Sequence, residues 1–484
     1  MARIPVSNST GAASASNGQN YRGPFSIMTV LFFMWGFMTV FNDILIPRFK
    51  EAFTLDYYHA MFVQLAFFGA YFIGSLVYFI ISATAGDPIA KIGYKNGVVI
   101  GLLISATGSA LFWPAATTLS YALFLAGLFI VGLGFAMLQI AANPYVTILG
   151  PEQTASSRLN LAQAFNSVGT TIGPLIGGYL IFQYFAKTSV SGADSVKVPY
   201  LAFCIVFVIL ALVFFCIHLP HVGEGKIEAG IGALKYPHIQ LGVLAIFMYV
   251  GGEVSIGSTI ISFLGQPSVA GLATVEASKY VSLFWGGMLI GRFMGAVELS
   301  EMKKVNKQIS LLAIPILGFS LFWFLRSWNG DQHQFDFAAG WLIVKNYLPL
   351  LGLSWVLFQF GQALAGRTLL IFGTTIVALL AVSMLEGGKL AMWCIVGIGL
   401  FTSIGWPNIF SLALDGMGVY KSQVSSLLVM AILGGALLPP LQGCIADRHG
   451  LQISYIVPLI AYAYVAFYGW KGHRIGRQLQ APIA

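Results

Sequence analysis

Short polar breaks cut the sequence into runs of about 20 mostly apolar residues. As a helix, a run of that length rises about 30 Å, the thickness of a bilayer's hydrocarbon core. Backbone N–H and C=O groups find no water there and must pair within the segment. The chain is therefore predicted to be an all-α integral membrane protein. Six runs come first, at 25–47, 60–82, 96–113, 118–140, 159–182 and 199–219. The stretch His221–His238 follows, with Glu224, Lys226, Glu228 and Lys235, and reads as a linker. Eight runs come after it, at 239–264, 278–299, 308–327, 342–363, 367–385, 389–414, 422–444 and 452–470. The expected layout is a tail (1–23), a first lobe (24–220), the linker (221–238), a second lobe (239–470) and a second tail (471–484).

Composition removes the soluble alternatives. Only 9% of residues are charged, against about 25% in soluble domains. The net charge of +8 invites a nucleic-acid partner, but Lys and Arg are scattered over the polar breaks rather than gathered on one face. That scatter fits the positive-inside bias. With alternating helices, Lys91, Lys95, Arg158, Lys226, Lys235, Lys303, Lys304, Lys307, Lys471, Arg474 and Arg477 share one side, against Arg48, Lys50 and Arg326. The expected address is the cell inner (plasma) membrane with both termini in the cytoplasm. Met1–Gly23 is rich in Ser, Ala, Asn and Gly; it reads as a disordered tail and lacks the apolar core of a cleavable signal. Cys204, Cys216, Cys394 and Cys444 lie in apolar stretches without ligand spacing, so neither a metal nor a cofactor is expected.

The two halves share a weak repeat. Gly169-x4-Pro174-x3-Gly178 recurs as Gly434-x4-Pro439-x3-Gly443. Upstream of each lies a proline expected to end a helix, Pro144 and Pro407. Repeated halves with a site between them mark many transporters.

An ionisable group inside a span costs about 3 kcal/mol on insertion scales, so its presence points to function. Asp43 follows Asn42 in Phe-Asn-Asp-Ile-Leu-Ile-Pro, and Glu253 lies in Tyr-Val-Gly-Gly-Glu-Val-Ser-Ile-Gly-Ser. Asp43 is placed to take up a proton on one side and release it on the other; the alternative is a solvated carboxylate near the interface. Glu253 is open to three readings: a sugar contact, a cation site, or a structural partner of a basic residue. Asn160, Gln163 and Asn166 recur every three residues and share a helix face, with Gln139 a further amide. Amides donate and accept as sugar hydroxyls do, although they also join helices. No paired nucleophile and base and no phosphate-cradling Gly-Lys-Ser/Thr loop is present. A transporter driven by an ion gradient is expected, not an enzyme. The rivals are a uniporter, a membrane enzyme on lipid-linked sugars, and a sensor that has lost transport.

Specific motifs narrow this further. Gln139-Ile-Ala-Ala-Asn-Pro-Tyr-Val-Thr-Ile-Leu-Gly-Pro-Glu152 and Arg158-Leu-Asn-Leu-Ala-Gln-Ala-Phe-Asn-Ser167 closely resemble the fucose–galactose–glucose:proton symporters of the major facilitator superfamily. Trp35 through Asp43, Leu111-Phe-Trp-Pro-Ala-Ala116, Gly291-Arg-Phe293 and Ser403-Ile-Gly-Trp-Pro-Asn-Ile-Phe-Ser-Leu412 extend the resemblance over nearly the whole chain. Tyr249 through Ser258 resembles the glucose/galactose branch.

The resemblance implies two six-helix lobes that rock about a central sugar site, and proton-coupled import of a hexose, glucose or galactose first. It implies that Asp43 carries the proton, with Glu253 as the second coupling candidate. Gln163, Asn166 and Trp406 match sugar-contacting positions, and Asn42, Gln139, Asn143, Asn160, Glu253 and Asn408 are further candidates. Arg158, Arg292, Pro144 and Pro407 are expected to gate or support the site. The partners are then a small sugar, a coupling ion and the bilayer; a monomer is expected.

Three departures qualify this. The fucose branch has an acid where this chain has Gln139 and an amide where it has Glu253, so coupling by two carboxylates does not transfer directly and sodium stays open. The loop signature between the second and third helices keeps Asp87 and Lys91-Ile-Gly-Tyr-Lys95 but has Ala90 in place of its acid. Residues 308–366 look like an inserted helix pair with a loop at Ser327–Gly340, giving about fourteen helices in place of twelve.

Overall fold

The computed structural model describes residues 22–85, 88–149, 155–185, 192–217, 232–298, 302–329, 334–362, 364–415 and 421–476. Among them, fourteen long helical segments run in sequence. The first lobe holds α1 (Gly23–Ala52), α2 (Tyr57–Tyr78), α3 (Tyr94–Thr117), α4 (Tyr121–Ile148), α5 (Ala155–Tyr179) and α6 (Ala193–Cys216). The second holds α7 (Pro237–Leu264), α8 (Thr274–Glu298), α9 (Lys304–Ser327), α10 (Phe337–Gly361), α11 (Ala365–Leu385), α12 (Gly388–Ala413), α13 (Leu427–His449) and α14 (Leu451–Trp470). Each predicted run falls on one of these. Twelve are long and apolar enough to cross a membrane. The other two, α5 and α8, match them in length, and both border the central cavity described below.

Buried apolar side chains form two clusters, one from Met28 to Phe214 and one from Ile239 to Tyr468. Phe68 packs against both. In lipid, apolar contact between helices gains little over contact with acyl chains, so close packing and polar contacts must hold the lobes together. These meet along α5 and α8, where Ser282 donates to the Thr171 carbonyl and Arg292 to the Ser167 hydroxyl. They meet again at the end where α1 finishes and α2 begins. There Asp447 of α13 accepts the backbone N–H groups of Tyr57 at 2.7 Å and Tyr58 at 2.8 Å. Gly443, one turn back, permits the approach: a Cβ there would lie 2.7 Å from the Tyr57 carbonyl oxygen.

Two helices break where the site needs them. In α1 the helix is interrupted at Val40 and restarts at Phe41, with Asp43 in its first turn. Pro47, one turn on, has no N–H to give the Asp43 carbonyl. In α12 the first piece ends at Thr402 and the second begins at Gly405. The Tyr249 hydroxyl takes the freed Thr402 carbonyl at 2.9 Å.

The two prolines do not end helices as expected. Pro407 sits in the first turn of the restarted helix Gly405–Leu414, where no N–H is needed. The helix containing Pro144 runs on to Ile148, because one missing hydrogen bond does not stop a helix already built over six turns.

The helices α9 and α10 stand at the rim. Only 22% and 28% of their apolar windows are buried, against 78% for α12, so most of their surface faces lipid. Trp323 donates to the Phe337 carbonyl at 2.8 Å and Gln308 to Gln359 at 2.9 Å, joining the pair. A two-residue antiparallel ladder, Trp328 with Phe335 and Asn329 with Gln334, closes their connection. Tyr347 of α10 donates to the Leu283 carbonyl of α8 at 3.2 Å.

Candidate functional site

A cavity lies between the lobes. The first lobe lines it with Trp35, Thr39, Val40, Asp43, Gln64, Phe68, Tyr71, Gln139, Gln163, Asn166 and Thr170. The second contributes Val250, Glu253, Val254, Trp285, Met288, Arg292, Trp406 and Ile432. Residues drawn from α1, α2, α4, α5, α7, α8, α12 and α13 thus meet in one space.

Asp43 and Glu253, chosen as intramembrane acids, face it from opposite lobes. Asp43 is 4% exposed. Its Oδ1 accepts from Gln64 Nε2 at 3.0 Å, and the same nitrogen donates to Ser258 Oγ on α7 at 2.9 Å. The other oxygen, Oδ2, lies against Gly257, 3.2 Å from where a Cβ would stand. Trp285 covers it, its ring 3.1 Å from that same position. Glu253 has Arg292 as its charged neighbour and lies beside Tyr249, whose hydroxyl is given to the Thr402 carbonyl. The cavity therefore holds two carboxyl groups and one guanidinium.

The amides separate into two groups. Gln139, Gln163 and Asn166 line the cavity. Asn166 is anchored by donation to the Phe32 carbonyl at 3.1 Å, and Gln139 accepts from Asn143 at 3.1 Å. Asn143 is thus a support behind Gln139 and not part of the lining. Asn42 is buried beside Asp43 but off the lining, its amide nitrogen without a hydrogen-bond partner. Asn408 is also off it: its side chain donates to the Ala365 carbonyl of α11 at 3.3 Å. Trp406, two residues earlier, does face the cavity. Arg292, expected as a gate or support, lines the cavity too. The side chains of Pro144, Arg158 and Asn160, and residue Asp87, lie outside the described residues.

Gln64, Trp35, Tyr71 and Trp285 were not anticipated as lining residues. Gln64 carried a usable signal, a lone amide in the apolar run Met-Phe-Val-Gln-Leu-Ala-Phe-Phe. The aromatic residues carried none, since the chain has 38 Phe, 20 Tyr and 10 Trp to choose from. Trp35 and Tyr71 are joined by an indole-to-hydroxyl hydrogen bond of 3.0 Å.

Known proteins share this organisation. The Major Facilitator Superfamily profile matches residues 25–365. The glucose/galactose transporter of Brucella abortus biovar 1 (strain 9-941) is 40% identical over 476 residues, covering 97% of this chain and 99% of its own. The L-fucose-proton symporter of Escherichia coli (strain K12) is 29% identical over 477 residues, 93% of each chain. The crystal structure of the Major Facilitator Superfamily transporter FucP in the outward conformation matches with a TM-score of 0.60 at 28% identity, covering 94% of this chain and 99% of that one. A 42% share of the chain is 26% identical to the human sodium-dependent glucose transporter 1, covering 41% of it. The chain is a multi-pass membrane protein and a sugar transporter that belongs to the Major Facilitator Superfamily.

Proposed function

We propose that the chain imports a hexose, glucose or galactose first, together with a proton, as a monomer in the cell inner membrane. The lobes at 24–220 and 239–470 rock about the cavity and expose it to each side in turn. Both termini are cytoplasmic, so the end bearing Tyr57 and Asp447 faces outside. Residues 308–366 form a helix pair added to the second lobe.

The observation that carries this reading is the charge set of the cavity: Asp43 and Glu253 from opposite lobes, with Arg292. Enclosing net charge away from water is costly. One proton leaves one carboxylate to balance one guanidinium, and an uncharged sugar adds nothing to that balance. A cavity loaded with proton and sugar can then close, whereas sugar alone would enclose an extra negative charge. Asp43 carries the proton. Glu253, held near Arg292 and Tyr249, is the remaining carboxylate and a sugar contact.

Gln139, Gln163 and Asn166 supply donors and acceptors that sugar hydroxyls use. Trp406 offers an apolar ring face for the sugar's C–H surface. The likeness to glucose/galactose transporters over 97% of the chain supports the choice of sugar, and the fucose–proton symporters support the choice of ion.

Uptake of a sugar panel into proteoliposomes at two pH values, with and without sodium, tests this. Glucose or galactose uptake driven by an inward proton gradient is expected. A strict sodium requirement favours sodium symport, a reading supported by the partial likeness to the human sodium-dependent transporter. Equilibration that ignores both gradients identifies a uniporter.

A further inference from the structure

One hydrogen-bond donor at the cavity wall serves both lobes. Gln64 Nε2 gives one hydrogen to Asp43 Oδ1 at 3.0 Å, within the first lobe, and the other to Ser258 Oγ at 2.9 Å, in the second. All three side chains are buried: Gln64 and Ser258 are 1% exposed and Asp43 is 4% exposed. The amide oxygen of Gln64 is also buried and has no partner, so the side chain is committed to its two N–H bonds. Leaving a buried carbonyl unpaired is unfavourable, and the position holds because both donor hydrogens are used. The bond to Ser258 can exist only while α2 and α7 are together. The seat beside it is shaped for a carboxyl group, because Gly257 presents no Cβ to Asp43 Oδ2.

We propose that Gln64 is the positioning residue that makes burial of Asp43 and closure of the lobes at the Tyr57–Asp447 end a single event. When the lobes close, the amide satisfies one carboxyl oxygen and ties the same group to the opposite lobe. When they part, Gln64 loses Ser258 and the carboxyl loses its covered seat. Gln64 need not touch the sugar to do this. The reading that Asp43 carries the proton is needed only for the consequence, that closure responds to the state of that carboxyl; the link itself rests on the three side chains.

The test uses the full chain in nanodiscs with its four native cysteines replaced by alanine. Spin labels at Glu51→Cys and Arg448→Cys, exposed residues of the two lobes at that end, report opening by pulsed distance measurement. Ser258→Ala and Gln64→Leu are each expected to lower the closed-to-open ratio roughly three- to tenfold, as for loss of one buried hydrogen bond. The double variant is expected to be no more open than Gln64→Leu alone, since both remove one bridge. Asp43→Asn is expected to shift the ratio less in the Gln64→Leu background than in the parent. An unchanged ratio in Gln64→Leu, or effects of positions 64 and 258 that simply multiply, overturns the proposal. Should Gln64→Leu fail to fold, Gln64→Asn keeps the amide but shortens its reach by one methylene and is expected to open the face equally; a parent-like ratio there counts against the bridge. Sugar accumulation by Asp43→Asn on a pH gradient would remove the proton-carrier reading and leave the 64–258 result to be judged separately.

Discussion

Asp447 and Tyr57 meet across the two lobes, carboxylate oxygen to backbone nitrogen, at 2.7 Å. The second oxygen of Asp447 takes the next N–H, from Tyr58, at 2.8 Å. One carboxylate thus holds the start of α2 against the end of α13. Hydrogen bonds to a charged group are stronger than neutral ones, about 1.5–3 kcal/mol each, although partial exposure reduces this. Asp447→Ala is expected to reduce the closed-to-open ratio at this end about tenfold. Asp447→Asn keeps one acceptor and should lose less. Reactivity of a cysteine placed at Tyr58 toward a membrane-impermeant thiol reagent measures both.

A second prediction concerns Gly257. A Cβ there would stand 3.2 Å from Asp43 Oδ2 and 3.1 Å from the Trp285 ring. The added branches of Gly257→Val have no room while Asp43 is seated. Transport is expected to fall at least tenfold, with sugar binding to the open form retained. Comparing equilibrium binding with the rate of counterflow separates the two.

Asn408 makes a third case, because the sequence suggests a sugar contact there and the geometry does not. Its amide bonds to the Ala365 carbonyl on α11. Asn408→Ala is expected to cost about 1 kcal/mol of stability, seen as a lower unfolding temperature, and to leave sugar KM unchanged. Trp406→Ala is expected to do the reverse, raising sugar KM about tenfold through loss of roughly 1.4 kcal/mol of contact at little cost in stability. A KM change in Asn408→Ala without a loss of stability would return that residue to the sugar site.

The helices were legible because bilayer thickness fixes their length, and all fourteen runs lie where apolar residues persist for that distance. Asp43 and Glu253 were legible because a charge inside such a run has to be justified by function. The amides Gln163 and Asn166 followed from their spacing of three. Gln64 carried the same signal as Asp43, a polar group in an apolar run, but a single neutral amide costs little and did not stand out. Asn408, a candidate through the family resemblance alone, lies off the cavity with its amide given to the Ala365 carbonyl of α11. Trp285 and Tyr71 left no trace, since aromatic side chains are equally at home in lipid, core and cavity.

Asp43→Asn in proteoliposomes, under an imposed inward proton gradient, gives the most direct test of the account. The variant is expected to exchange labelled glucose or galactose across the membrane in counterflow, and to fail to accumulate either sugar against its gradient. Accumulation at the parent level, driven by the proton gradient alone, would contradict the account.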